Sequence, residues 1–114
     1  MTLNHLNLTV TDPAATSEFL ERHFALRPGG GNRGMQVLYD DTGLVLTLIK
    51  GRAEDVRYPP TFHIGFIQPD EQRVNEINAR LREEGLAVDA PARLHGAWTF
   101  YFTAPGGFVV EVLC

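Results

Sequence analysis

The stretch Gly107-Phe108-Val109-Val110-Glu111-Val112-Leu113-Cys114 decides how this chain is interpreted. All of its residues except Glu111 are apolar or glycine, and a run of this kind predicts a strand that is buried on both faces. A carboxylate inside such a strand is costly unless it is paired with a cation. The position of Glu111 therefore indicates either an ion pair, with an arginine such as Arg33 or Arg93, or a metal site.

Two upstream strands each carry one central histidine, and they are the candidate partners of Glu111. Leu3–Leu8 contains His5, and Phe62–Ile67 contains His63. Two imidazoles and a carboxylate bind a divalent ion and leave coordination positions open for water or substrate. We therefore expect His5, His63 and Glu111 to be metal ligands. Histidine and glutamate ligation suits Zn, Ni, Mn, Co or Fe(II), and the sequence does not choose among these ions.

The order of elements repeats along the chain. Residues 2–10 predict a strand, and Asp12 and Pro13 open a helix as N-cap and first helical residue. A turn at 29–34 and two strands, Met35–Tyr39 and Leu44–Ile49, follow. After a polar linker at 51–60, the second half predicts a strand at Thr61–Gln68, a helix capped by Asp70 and stopped by Gly85, a short strand within 86–93, and a hairpin of Trp98–Thr103 with Phe108–Leu113.

Residue spacings support a true repeat. His5 precedes Asp12 by seven positions and His63 precedes Asp70 by the same seven, while Gly43 to Thr47 and Gly107 to Glu111 are both four positions. Thr47 is then the counterpart of Glu111. We predict one α+β domain over 1–114, built from two βαβββ modules at about 2–50 and 61–114. Equivalent positions of such a repeat lie around a pseudo-twofold axis, and they can face one another across a shared central cavity.

This duplication, with His5, His63 and Glu111 at mid-strand, resembles the vicinal-oxygen-chelate superfamily of glyoxalase I, bleomycin- and fosfomycin-resistance proteins and extradiol dioxygenases. The segments that carry the resemblance are Leu3–Leu6 leading to Thr11–Pro13, then Phe62–Gly65, then Phe100–Phe102 leading through Pro105–Gly107 to Glu111. The resemblance implies that the two modules form an open, mixed-sheet pair of half-barrels around a central cavity. It further implies a glyoxalase- or dioxygenase-like metal-dependent enzyme acting on a small oxygen-rich molecule that chelates the ion. It also implies a homodimer in which His5 of one chain can join His63 and Glu111 of the other.

Further site residues follow from the resemblance and from side-chain chemistry. Tyr101 and Glu111 are the candidate catalytic residues, since a phenol can donate to a developing oxyanion. The expected substrate-binding residues are Asn7, Thr47, His95, Trp98, Thr99 and Tyr101.

Departures from the family pattern leave alternatives open. Glyoxalase I has a second carboxylate where Thr47 stands, and Pro91 stands about where fosfomycin-resistance enzymes place a phosphonate-binding lysine. His95 is a candidate for the acid–base histidine of the dioxygenases. The alternative functions are a non-catalytic binding protein of the bleomycin-resistance type and a fosfomycin-type thiol transferase.

The composition bears on the partners and the cellular compartment of the protein. The chain has 114 residues, a formal net charge of −4 and one cysteine. An acidic balance argues against nucleic acid or a membrane surface as the partner. A lone cysteine fits a reducing compartment, so we expect a cytoplasmic protein.

Overall fold

The computed structural model describes residues 1–114 and contains eight strands and two helices. Along the chain these are β1 (His5–Val10), α1 (Pro13–Phe24), β2 (Arg27–Asn32), β3 (Met35–Tyr39), β4 (Val45–Lys50), β5 (His63–Ile67), α2 (Glu71–Glu83), β6 (Ala92–Leu94), β7 (Ala97–Thr103) and β8 (Val109–Leu113). Each half of the chain therefore has the predicted βαβββ order.

The strands form two separate four-stranded sheets with the same topology. Their orders are β1-β4-β3-β2 and β5-β8-β7-β6. The first strand of each sheet runs parallel to the last, and the other neighbours are antiparallel. The predicted α+β class with mixed, open sheets is confirmed.

The strand registers also confirm the repeat. His5 is paired with Val45 in the first sheet, and His63 is paired with Val109 in the second. Two residues further on, Thr47 lies between Asn7 and Val37, whereas Glu111 lies between Gly65 and Tyr101. Thr47 and Glu111 are structural counterparts, as their spacing predicts.

Contacts divide the chain into two compact units. The first consists of Met1–Arg57 with Pro105–Gly107, and the second consists of Tyr58–Ala104 with Phe108–Cys114. The predicted linker at 51–60 contains no helix or strand.

In the first unit, α1 packs on one face of its sheet. Asp12 caps the helix by accepting a hydrogen bond from the Ala15 amide at 3.0 Å, and Pro13 follows with its φ already suited to a helix. The core residues of this unit are Leu8, Val10, Leu20, Leu38 and Leu48, which are almost fully buried. The opposite face of the sheet carries His5, Asn7 and Thr47.

The second unit repeats this arrangement. Asp70 caps α2 by accepting from the Arg73 amide at 2.9 Å, and Gly85, with φ 87°, follows the helix end. The buried residues of this unit include Val74, Ile77, Leu81, Phe100, Phe108, Val110 and Val112. No helix in the structure is long and apolar enough to cross a membrane.

Three sequence expectations about strands are corrected. The predicted turn at 29–34 is largely strand β2, whose register shifts between Pro28 and Gly31. The short strand expected within 86–93 is β6, at Ala92–Leu94. The last strand, β8, is fully buried only on the face of Val110 and Val112, while Glu111 on the other face is partly exposed.

Candidate metal and substrate site

Glu111 lies at the middle of the sheet face that points away from α2 in the second unit. Its strand partners at this level are Gly65 on one side and Tyr101 on the other. Because side chains alternate along a strand, Thr99 and Tyr101 share the face of Glu111, while Phe100 and Phe102 face the core. The strand registers therefore bring polar side chains of β5, β7 and β8 onto one face of the sheet.

The Glu111 carboxylate is held by contacts to both of its oxygens. Thr99 Oγ1 donates to Oε1 at 2.9 Å, and His63 Nε2 lies 3.4 Å from Oε2. The Glu111 side chain is 14% exposed and that of His63 is 42% exposed. The pair is therefore reachable from solvent, although the carboxylate itself is largely desolvated.

Tyr101 adds a third contact to this carboxylate. Its hydroxyl is hydrogen-bonded to Glu111, and this bond, helped by partial burial and by the negative charge of Glu111, raises the pKa of Tyr101 above its ordinary value. The Tyr101 ring also meets the His63 ring edge-on, with centroids 5.6 Å apart. The phenol is consequently a neutral hydrogen-bond donor throughout the physiological pH range.

The tautomer of His63 follows from its other ring nitrogen. Nδ1 lies 3.1 Å from the Thr61 carbonyl oxygen, which can only accept, so Nδ1 carries the proton. In the neutral ring Nε2 then presents a lone pair towards Glu111 Oε2. Two electron-rich atoms that face each other in this way suit a cation held between them.

The separation of these two atoms also fits a shared ion. Ligands about 2.1 Å from a metal at a tetrahedral angle lie about 3.4 Å apart. His63 Nε2 and Glu111 Oε2 are separated by 3.4 Å. These two residues therefore have the chemistry and spacing of a divalent-metal half-site.

The first unit presents a second, smaller set of polar groups. His5 is exposed, and its Nδ1 lies 2.7 Å from Asn4 Oδ1, an acceptor, so Nδ1 carries the proton and the neutral ring keeps a lone pair on Nε2. On the same face, Thr47 Oγ1 donates to Asn7 Oδ1 at 2.8 Å. Sequence reasoning missed Asn4, although its position directly before His5 was a visible signal.

The three predicted metal ligands are distributed over both units. His5 belongs to the first unit, and His63 and Glu111 belong to the second. No group of three or more His, Cys, Asp or Glu side chains able to hold a metal ion occurs within the chain. The three-ligand set remains a prediction, of which the structure brings two members together.

Trp98 is the predicted site residue that the structure places elsewhere. Its indole Nε1 donates to Asn75 Oδ1 of α2 at 2.8 Å, and the Arg93 guanidinium lies over its ring. Arg93 also forms an ion pair with Glu71, so it is not the partner of Glu111. Trp98 is on the helix side of β7 because it is one position out of phase with Thr99 and Tyr101, so it does not share their face, and its contact with substrate remains a prediction.

Two further features belong to the second unit. His95 is exposed in the turn between β6 and β7 with φ 51°, and its acid–base role remains a prediction. An open cleft of about 270 Å³ is lined by Ala87, Asp89, Tyr101, Phe102, Thr103 and Val109. Asp89 is the only charged side chain of this lining, and no basic residue contributes to it.

The fold and site define a class of protein, which comparison with known proteins identifies. The family described as the glyoxalase/bleomycin resistance protein/dioxygenase superfamily matches residues 2–112. The chain therefore belongs to this superfamily, as its resemblance implies.

Among solved structures, a possible glyoxalase from Bacillus cereus is 49% identical, with a TM-score of 0.93 and coverage of 100% of this chain and 99% of that one. The fosfomycin resistance protein FosX from Listeria monocytogenes, solved with Mn(II) and sulfate, is 21% identical, with a TM-score of 0.82 and coverage of 99% and 89%. Lactoylglutathione lyase from Agrobacterium tumefaciens is 18% identical, with a TM-score of 0.78 and coverage of 98% and 92%. The last two show the fold alone. No curated protein matches the sequence significantly.

Proposed function

We propose that this protein is a metal-dependent enzyme that acts on a small, oxygen-rich molecule which binds the ion through adjacent oxygens. The observation that carries the proposal is the pair formed by His63 Nε2 and Glu111 Oε2, 3.4 Å apart on a face open to solvent. His5 is the proposed third ligand. A bound divalent ion would supply Lewis-acid polarisation of a substrate oxygen.

The side chains around the pair have distinct proposed roles. Tyr101 would orient or protonate a substrate oxygen, because its raised pKa keeps the phenol protonated at neutral pH. Asn7 and Thr47 would contact the substrate from the first unit, since they form a hydrogen-bonded pair on the face that carries His5. The membership in a superfamily that includes a Mn(II)-bound relative supports a metal but does not choose the ion.

We further propose that the complete site forms between two copies of the chain, with His5 supplied by one and His63 and Glu111 by the other. The resemblance supports this arrangement, because many members of the superfamily pair their modules between chains. The exposed imidazole of His5 is available for such a partner. The homodimer is then the functional unit, and we expect it to work in the cytoplasm.

The metal site is tested by elemental analysis of the purified protein beside Glu111→Gln. We expect near-stoichiometric metal in the wild type and its loss in the variant. Glu54→Gln, which changes an exposed glutamate of the linker in the same way, is the matched control and should keep the metal. A wild-type protein that takes up no divalent ion after reconstitution would overturn the enzyme proposal.

The sharing of the site between copies is tested by mixing His5→Ala with Glu111→Gln chains under conditions that allow subunit exchange. Each variant alone should bind no metal tightly. In a mixed dimer, one of the two sites regains all three ligands, so random exchange should restore about a quarter of the wild-type metal content. Mixtures with no more metal than the separate variants would place all three ligands on one chain.

A non-catalytic binding protein is the second candidate, and the cleft beside Tyr101 favours it. Its aromatic lining and the Asp89 carboxylate suit an aromatic or cationic ligand. Tight binding of such a ligand, unchanged in Glu111→Gln and weakened in Asp89→Asn, would support this function. A thiol transferase acting on a phosphonate is disfavoured, since the cleft lining offers no basic group to an anionic substrate.

A further inference from the structure

Thr99 is almost fully buried, with 1% of its surface exposed, and its hydroxyl is directed at the Glu111 carboxylate. The sequence suggests that Thr99 contacts substrate. A ligand approaching the open face would instead meet Tyr101, whose side chain is partly exposed, and the Glu111 carboxylate. The Thr99 hydroxyl donates to the carboxylate from a position that solvent does not reach.

The strand register explains how this contact arises. Tyr101 is directly opposite Glu111 on β8, and Thr99 is opposite Leu113, so Thr99 is the diagonal neighbour of Glu111 on the same face. A threonine hydroxyl at this position reaches the carboxylate, with Oγ1 2.9 Å from Oε1. Because threonine is β-branched and buried here, its χ1 angle is restricted and the direction of its hydroxyl is fixed.

Fixing one carboxylate oxygen determines where the other one points. The terminal torsion of a glutamate is broad and roughly two-fold, so an unheld carboxylate samples many orientations. With Oε1 bound to Thr99, Oε2 is turned towards His63 Nε2, 3.4 Å away. The half-site is therefore arranged before any ion arrives.

The internal repeat provides a comparison within the chain. Met35 occupies the position in the first sheet that Thr99 occupies in the second, since Met35 is opposite Ile49 as Thr99 is opposite Leu113. The first sheet has no carboxylate at Thr47, and it has no hydroxyl at Met35. The buried donor occurs only in the unit that contains the carboxylate.

We propose that Thr99 is a positioning residue of the metal centre, whose buried hydroxyl orients Glu111 for cation binding with His63. This inference rests on the proposed function, because it assigns a role towards the same ion. It assigns Thr99 no contact with substrate.

The test measures the affinity of the metal-free protein for Co(II) by competition with a chromophoric chelator, together with the visible spectrum of the Co(II) form. The variants are Thr99→Val, which removes the hydroxyl at nearly constant shape, and Thr99→Ser, which keeps it. Thr11→Val, an exposed position that belongs to neither the site nor the cleft, is the matched control. The melting temperature of each metal-free variant separates loss of stability from loss of affinity.

We expect Thr99→Val to bind Co(II) about 10 to 100 times more weakly with an altered spectrum, as is typical when an outer hydrogen bond to a ligand is removed. Thr99→Ser and Thr11→Val should resemble the wild type. Should Thr99→Val fail to fold, Thr99→Ala measured against Thr99→Ser decides the same question.

Wild-type affinity in Thr99→Val, or equal weakening in Thr99→Val and Thr99→Ser, would overturn the inference while leaving the metal site intact. A wild-type protein that binds no Co(II) would instead overturn the proposed function, and the inference with it.

Discussion

The Glu111 carboxylate is a partly buried charge whose surroundings supply all of its polar partners. Thr99 donates to one oxygen, His63 Nε2 lies near the other, and Tyr101 adds its hydroxyl. Each of these groups belongs to the second unit, so the carboxylate is positioned by side chains of the same sheet. A single change among them should alter the chemistry of the site without unfolding the sheet.

Replacing Tyr101 by Phe should remove a pH dependence of stability. The bond to Glu111 raises the pKa of Tyr101 above its ordinary value of 10.0 in the folded chain. Between that value and the higher folded pKa, the folded state keeps a proton that the unfolded state has lost. The contribution of this hydrogen bond to the free energy of unfolding should therefore be present in full below about pH 10, and it should be lost as the pH rises through this window.

The measurement is urea unfolding of the wild type and Tyr101→Phe at about pH 9 and about pH 11, with Tyr39→Phe as a control. The wild type and Tyr39→Phe should lose more stability over this interval than Tyr101→Phe does. An equal loss in all three proteins would contradict the assigned hydrogen bond.

Gly65 should tolerate alanine and resist larger side chains. A Cβ at this position would lie 3.5 Å from Leu113 Cδ2 and 4.0 Å from Glu111 Oε2, which are ordinary contacts. Gly65→Ala should therefore keep metal binding and gain about 0.4–1 kcal/mol of stability by restricting the unfolded chain. Gly65→Leu should fill the space beside the carboxylate and weaken metal binding. Undiminished metal affinity in Gly65→Leu would show that this space is not used.

Both helices begin at an aspartate that the sequence identifies, and both caps are formed as predicted. Asp12 accepts from the Ala15 amide and Asp70 from the Arg73 amide. Asp12→Ala and Asp70→Ala should each lower the free energy of unfolding by about 1 kcal/mol, because an amide at the helix start loses its acceptor. Chemical denaturation measures the change. Asp12→Asn and Asp70→Asn keep a cap oxygen, so an equal loss in them would indicate that the cap hydrogen bond is not the cause.

The strands were predictable where the sequence is rich in apolar residues, as in β1, β4 and β8. Strand β2 was not, because Arg27–Asn32 reads Arg-Pro-Gly-Gly-Gly-Asn and has no apolar pattern. Its glycines have a steric role: a Cβ on Gly29 would lie 2.2 Å from the Tyr39 ring, and one on Gly31 would lie 2.3 Å from the Met35 carbonyl oxygen. Strand β2 forms because it pairs with β3. This pairing is a tertiary contact, and the local sequence pattern of β2 does not indicate it.

The candidate site was predictable to a similar degree. The spacing of the repeat made Thr47 the counterpart of Glu111, and the strand registers confirm this equivalence. The sequence did not reveal that Thr99 donates to Glu111, because this contact depends on the diagonal offset between two strands. Nor did it reveal that Trp98 contacts Asn75 of α2, because the phase of strand β7, and not the residue type, decides which face the indole lies on.

For the whole molecule, the proposed sharing of ligands couples metal binding to association. If His5 and Glu111 of one site come from different copies, the ion binds the dimer far more tightly than the monomer. Metal at about 100 times its dissociation constant should then tighten the dimer about 100-fold for each site. Sedimentation velocity over a dilution series, with and without a chelator, measures this shift. The dimer dissociation constant of Glu111→Gln should be the same with and without the chelator. A wild-type protein that binds metal and also shows no change in its dimer dissociation constant would argue for sites within one chain.

The packing of Trp98 against α2 gives the protein an internal optical probe. The chain contains one tryptophan, and its indole is held by Asn75 and covered by Arg93 on the side of β7 that faces the helix. Its fluorescence should therefore report on the integrity of the second unit, shifting to longer wavelength when β7 separates from α2. A diamagnetic ion such as zinc, bound on the opposite face, should leave this emission nearly unchanged. The emission of Trp98 can therefore report unfolding during a zinc titration without a contribution from zinc binding itself.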